Sequence, residues 1–338
     1  MRANFSRHLC IVLKRIKENA LIFRCFNRNK LTGGILFMNT YRLKQLVLFV
    51  AIACMMTIVA ACGSNSDTAT STEAASETAQ QEEIRLVTTT VAVTNIFEAL
   101  NLNLIGVPTT EQEIPERYNE ATKVGSPMTP DVEIIAGLKP TEVFSVTSLE
   151  YDLKEPFEQL NIPTTFVNLQ GLQQMKDSIN DIGARYDRVD EATELVTSLE
   201  KRITELQASV EGKPSPKVLI LLGIPGSYLV ATENSYIGDL VKLAGGTNIA
   251  EGQVAEYLPS NTEFLHQSNP DIIIRLAHGM PDKVVEMFNE EFKTNDIWKH
   301  FNAVQNERVY DLKEPLFGTT ATLEVTTALE QLIEVMYP

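Results

Sequence analysis

The chain has 338 residues, with 29 Lys+Arg against 44 Asp+Glu and a net charge of −15. From residue 62 onward 19 basic residues face 43 acidic ones, a net −24, and a surface of that sign repels nucleic acid. Cys10, Cys25, Cys54 and Cys62 all lie within the first 62 residues, which excludes a disulfide framework or a cysteine metal site in the remainder.

The N-terminus reads as an address. Residues 1–37 are basic and mixed apolar, while Met38-Asn-Thr-Tyr-Arg-Leu-Lys44 makes a signal-peptide start by itself. Met38 is therefore the expected start, and 1–37 an upstream extension outside the fold. The basic Arg42 and Lys44, the apolar run Leu46 to Val59, and then Ala60-Ala61-Cys62 form a bacterial lipoprotein signal over 38–61. Cleavage before Cys62 leaves its sulfur to carry diacylglycerol, with palmitate among the acyl chains. An apolar core of roughly 14 residues is short of the ~20 a spanning helix needs. The Ser/Thr/Glu-rich stretch 62–83 is a disordered tether. The expected location is the outer face of the cell membrane, held by lipid.

Strand-like and helix-like segments alternate from Ile84. Ile84 to Thr90 is a strand feeding a helix near Thr94 to Leu102, and Leu104 to Val107 is the next strand. Asp131 to Leu138 reads as a helix, and Glu142 to Val146 and Thr164 to Asn168 as buried strands. Ala192, Leu195, Val196, Leu199, Ile203, Leu206 and Val210 then keep the 3, 4, 7 spacing of one helix face. Asp187 or Asp190 can cap this helix, and Gly212 with Pro214 ends it. At 1.5 Å per residue its roughly 23 residues span about 35 Å, a stiff strut. Beyond it come the strand Lys217 to Leu222, a helix from Ser235 to Ala244 stopped by Gly245-Gly246, the strand Asp271 to Arg275, and a helix from Leu323 to Met336. The alternation predicts parallel sheets with helices on their faces. The expected organisation is an α/β lobe over 84–186, a backbone helix over 187–212 and a second α/β lobe over 213–338.

A short internal repeat links the two lobes. Glu133 stands seven residues before Pro140 and the strand Val143 to Val146, and Glu263 stands seven before Pro270 and Ile272 to Ile274. Each copy reads as a short helix with an outward carboxylate, a proline turn and a buried strand.

Ligands of open α/β sheets bind beyond the carboxyl ends of the strands, which singles out two loops. Ala277-His278-Gly279-Met280-Pro281 mounts a histidine between a strand end and a Gly-x-Pro turn. Gly125-Ser126-Pro127-Met128-Thr129-Pro130 sets a methionine between two prolines, where no helix or strand pattern asks for an apolar residue. One thioether and one imidazole, one per lobe, suit the two axial positions of haem iron. Zinc or manganese would want three or four converging ligands, and His266 and His300 share no motif with His278. His300 reads instead as a helix-end residue packing on its aromatic neighbours. No nucleotide, Walker, nucleophile-elbow or His-Glu-x-x-His motif occurs, so no catalytic residue is assigned and the chain is not expected to be an enzyme.

Thr88-Thr-Thr-Val-Ala-Val-Thr94, Gly125-Ser-Pro-Met128, Pro225-Gly-Ser-Tyr-Leu-Val-Ala-Thr232, Tyr257-Leu-Pro-Ser-Asn-Thr-Glu263 and Ala277-His-Gly-Met-Pro281 together resemble the haem-binding lipoproteins of Gram-positive Isd-type uptake systems. The resemblance runs from about Ile84 to Tyr337. It implies the class III periplasmic-binding-protein fold, two Rossmann-like lobes joined by a long rigid backbone helix. It also implies one haem b per chain as cargo, with Met128 and His278 as axial ligands and the Val91-Ala92 backbone N–H groups facing the propionates. Where the family often has a hydroxyl then an aromatic, this chain has Thr110 then Glu111. Thr110 can still donate a hydrogen bond, whereas Glu111 would repel a propionate unless turned away. In the wider binding-protein class one acidic residue per lobe docks on an ABC permease, a pattern matched by Glu133 and Glu263. The implied partners are haem, the permease, upstream surface haem-relay proteins and the membrane through Cys62, the protein itself being a monomer. A ferric siderophore or other metal chelate is the alternative cargo, with Arg275, Tyr228 and Tyr257 as its only obvious contacts. A surface-anchored enzyme is the third reading.

Overall fold

The computed structural model describes residues 83–338 apart from 262–264, 266 and 279. The expected signal, the lipid site Cys62 and the tether up to residue 82 lie outside the described residues, as do Glu263 and His266.

The first half is a parallel sheet. Strand β1 (Leu86–Thr88) runs into helix α1 (Val91–Ala99), followed by β2 (Gly106–Val107) and β3 (Thr122–Lys123). A small hairpin of β4 (Gly125–Ser126) and β5 (Thr129–Pro130) precedes α2 (Val132–Gly137), β6 (Glu142–Val146), α3 (Glu150–Gln159), β7 (Thr164–Val167) and α4 (Leu172–Arg185). The sheet order is β3-β2-β1-β6-β7, every pairing parallel. Helix α1 begins three residues earlier than the pattern suggests. The cause is Thr90, whose hydroxyl accepts from the Val93 N–H and caps the helix there.

Helix α5 (Val189–Val210) is the expected long helix, about 33 Å over 22 residues. Neither expected aspartate caps it. Arg188 occupies the cap position without a side-chain capping bond, Asp187 takes a left-handed φ of 56° in the turn out of α4, and Asp190 sits in the first turn. There its charge favours the helix's positive end without replacing a cap. Gly212, at φ 78°, closes the other end as expected.

The second half comprises β8 (Lys217–Ile224), β9 (Ser227–Ala231), α6 (Tyr236–Leu243), β10 (Thr247–Asn248), β11 (Tyr257–Pro259), β12 (Ile272–Ala277), α7 (Pro281–Thr294), α8 (Asn302–Gln305), β13 (Val309–Leu312) and α9 (Val325–Met336). This sheet is mixed, not wholly parallel: in the order β11-β9-β8-β12-β13 the first two pairings are antiparallel and the last two parallel, with β10 beside the start of β8. The turn Ile224-Pro225-Gly226-Ser227 makes the reversal, Gly226 at φ 85° supplying the left-handed backbone. β8 and β12 are apolar without alternation because both faces are covered. Leu219, Leu221 and Ile273 pack toward Phe288 and Trp298, while Ile220, Leu222, Ile272 and Ile274 face the larger core.

That larger core crosses from one sheet to the other. It joins Phe97 and Phe144 to Leu199 and Ile203 of α5 and to Leu240 and Leu329 beyond it. Helix α5 lies against α4 on one side and α9 on the other. Lys176–Glu200 at 2.7 Å and Arg202–Glu330 at 2.8 Å border these contacts. Loops after the strands also meet. Ala321 N–H donates to Leu169 C=O at 2.7 Å, Leu172 N–H to Asp239 Oδ2 at 2.8 Å, and Gln170 Nε2 to Glu256 Oε1 at 2.5 Å. The chain leaving β7 is thereby pinned to the second half.

Gly183 shows how closely α4 approaches α5. A Cβ there would stand 2.6 Å from Ala192 Cβ and 2.8 Å from the Arg188 carbonyl oxygen. In an open helix Gly→Ala stabilises by about 1 kcal/mol. Here Gly183→Ala should instead lower stability by about 1–3 kcal/mol through overpacking, read from the denaturation midpoint at unchanged m-value.

Candidate functional site

The singled-out residues of the first half lie past the carboxyl ends of its strands. After β1, the hydroxyls of Thr88 and Thr94 share a 2.7 Å hydrogen bond, and Thr94 Oγ1 donates to Thr90 C=O. These buried threonines fix the start of α1, so the half-buried Val91 and Ala92 present first-turn N–H groups, which have no partner within a helix. After β2, Thr110 Oγ1 accepts from Gln112 N–H at 3.0 Å and keeps its own proton free to donate. Glu111 beside it is exposed.

After β3 comes the hairpin that carries Met128. Gly125 is required at its base: φ is 93°, and a Cβ would lie 2.7 Å from the Asp131 nitrogen. Asp131 N–H donates to Val124 C=O at 2.7 Å, Thr109 N–H to Gly125 C=O at 2.8 Å, and Ser126 and Thr129 join hydroxyls across the turn at 2.7 Å. The side chain at the tip of this braced turn, Met128, is 67% exposed, whereas Met175 and Met336 are buried in the core. A thioether held out of the core on a rigid mount has no packing task. Glu133 follows in the first turn of α2, exposed, beside Ile134, which is also exposed.

In the second half His278 directly follows β12, its N–H donating to Gly223 C=O at 2.9 Å. Its imidazole Nδ1 lies 2.7 Å from Glu314 Oε1. This pair follows from strand register. β12 and β13 pair with a constant offset of 36 residues, from Ile273↔Val309 to Leu276↔Leu312, and His278 and Glu314 continue it past the last ladder pair. Three residues earlier on each strand, Arg275 forks onto Asp311 through Nε at 2.8 Å and Nη2 at 2.6 Å. The guanidinium also donates to Asn289 and sits over the rings of Phe288 and Phe292. A bidentate pair of this kind, with Arg275 buried and Asp311 at the surface, fixes two strands geometrically as well as energetically.

Glu314 is the site residue that the sequence reading missed. A carboxylate on Nδ1 sets the tautomer and leaves Nε2 as the free donor toward a metal. The hydrogen bond to Glu314 and its charge raise the His278 pKa above 6.5, against the opposing effect of partial burial. Met280, two residues on, is 59% exposed and adopts φ 46°, ψ 57° at the start of α7.

His300 ends a 3-10 turn, as expected, and is exposed, while Trp298 and Phe301 near it are buried. The residues that favoured a siderophore are committed elsewhere. Arg275 is buried in its pair with Asp311, Tyr228 Oη donates to Glu291, and Tyr257 packs against the core. Among the described residues no three His, Cys, Asp or Glu side chains gather as a metal site.

Two α/β sheets sharing a core along one long helix, with their exposed soft and imidazole side chains on loops past the strand ends, define a two-part solute-binding fold. The chain belongs to the periplasmic binding protein family, whose model matches residues 86–316. It is 46% identical over 264 residues to the high-affinity heme uptake system protein IsdE of Staphylococcus aureus strain Newman, covering 77% of this chain and 90% of that one. The crystal structure of S. aureus IsdE complexed with heme matches with a TM-score of 0.73, over 76% of this chain and all of that one. An ABC transporter substrate-binding protein of Listeria monocytogenes EGD-e also matches at 0.73, with 52% identity over 76% of this chain and 99% of that one.

Glu314→Gln should return the His278 pKa toward 6.5, followed by the imidazole proton shifts in an NMR titration. Because the native pKa is raised, the stabilisation from this pair is complete below the unfolded chain's pKa and fades as pH rises through the native one. The variant should therefore lose stability in acid and match the parent at alkaline pH.

Proposed function

We propose that this chain is a lipid-anchored haem-binding protein that takes up haem at the cell surface and delivers it to an ABC permease for import. The observation that carries the reading is the exposed Met128 and the half-buried His278, each past the strand ends of its half. Met128 offers a thioether on a braced hairpin, and His278 offers Nε2 because Glu314 engages Nδ1. Methionine opposite histidine favours ferrous iron, while the carboxylate behind the imidazole strengthens the opposite ligand. The similarity to the IsdE–heme complex supports the same cargo.

In this reading one haem b lies between the halves of a monomer, its propionates toward the N–H groups of Val91 and Ala92 and the hydroxyl of Thr110. Glu111 is exposed, and turned outward its charge does not oppose them. Acylation of Cys62 holds the carrier on the outer face of a Gram-positive membrane, where surface haem-relay proteins supply it. No helix among the described residues is long and apolar enough to cross a membrane. Glu133 and Glu263 are the permease contacts, one on each half. No catalytic residue is invoked, and a panel of hydrolase substrates should remain unturned.

Haemin added to the purified protein from residue 84 onward should give a six-coordinate Met/His absorption spectrum. His278→Ala and Met128→Ala should each yield a different ligation, and the double variant should bind at least tenfold more weakly, a loss of about 1.4 kcal/mol or more. A free-haemin spectrum from the parent, or one unchanged in the double variant, refutes the assignment. Glu133→Lys should leave that spectrum intact and reduce haem-dependent growth by weakening encounter with the permease, an effect that shrinks as ionic strength rises.

A further inference from the structure

Met280 breaks two local rules at once. It is a non-glycine residue with left-handed backbone, φ 46° and ψ 57°, a conformation that is unfavourable for a residue with a Cβ. It also holds the N-cap position of α7, where Ser, Thr, Asp, Asn or Gly serve, and it makes no side-chain cap bond. Glycine would satisfy both demands, since it takes positive φ freely and is tolerated at an N-cap. Pro281, at the first position of α7, stiffens the chain immediately after it, so the residue is held where it stands. What glycine lacks is the side chain, and that of Met280 is 59% exposed rather than buried. Strain retained without a packing return points to function.

We propose that Met280 is a ligand-contacting residue, whose thioether packs against the macrocycle of the bound haem on the His278 side and slows its release. This rests on the haem reading above. The side chain is suited to the task, being flexible, polarizable and favourable against an aromatic edge. Lying on the same loop as His278, it cannot supply the opposite axial ligand, so its contribution is contact rather than coordination.

Met280→Gly separates the two roles. Haemin release is timed by transfer to excess apomyoglobin, alongside thermal unfolding of the haem-free protein. We expect the variant to melt no lower than the parent, to keep the six-coordinate spectrum, and to release haemin roughly two- to tenfold faster. Release at the parental rate overturns the proposal. So does faster release accompanied by a lower melting temperature or an altered spectrum, which would make Met280 a residue of loop structure. A parent protein that takes up no haemin refutes the function proposed above and this contact with it, whereas parental release from a loaded variant refutes the contact alone.

Discussion

The parallel register between β12 and β13 is the constraint on which the histidine half of the site depends. Two short strands slide easily unless something pins them, and a slip of one residue would turn every side chain to the opposite face. The fork of Arg275 on Asp311 prevents that slip. Arg275 is buried although Asp311 is not, so removing the carboxylate would leave a buried guanidinium without its counter-charge. Aromatic rings above the guanidinium and the Asn289 carbonyl complete its coordination. Because the offset is fixed at 36 residues, Glu314 arrives beside His278 as a matter of arithmetic. The imidazole is thus oriented by Glu314, whose place is set by a pairing three residues back on each strand.

The methionine half is built by different means. No long strand stands behind Met128, and its hairpin owes its shape to a glycine that tolerates positive φ, a proline and two linked hydroxyls. Short-range geometry holds one candidate ligand and long-range pairing holds the other. Between them runs a single core, with Leu199 and Ile203 of α5 packed among residues of both sheets.

That contrast explains what could be read from the chain alone. Met128 and His278 stood out because each sits among prolines or glycines, which are local signals. The stripe of α5 and the apolar runs of β8 and β12 are likewise local and were legible. Glu314 was not, because nothing near it in sequence refers to His278; only a strand pairing 36 residues apart does. The cap of α5 was misread for a related reason. Asp187 is a good cap by type, but the turn out of α4 commits it to a left-handed backbone, and the helix begins after Arg188. The antiparallel β9 and β11 escaped because Pro225-Gly226 reads equally as a loop and as a hairpin turn.

The bonds that tie Leu169, Gln170 and Leu172 to the second half bear on timing in a carrier. Two halves joined through a shared core and these bonds move apart only at the expense of both. In a carrier built this way, anything that parts the halves must break those bonds together with the shared core, so opening and unloading would be a single event.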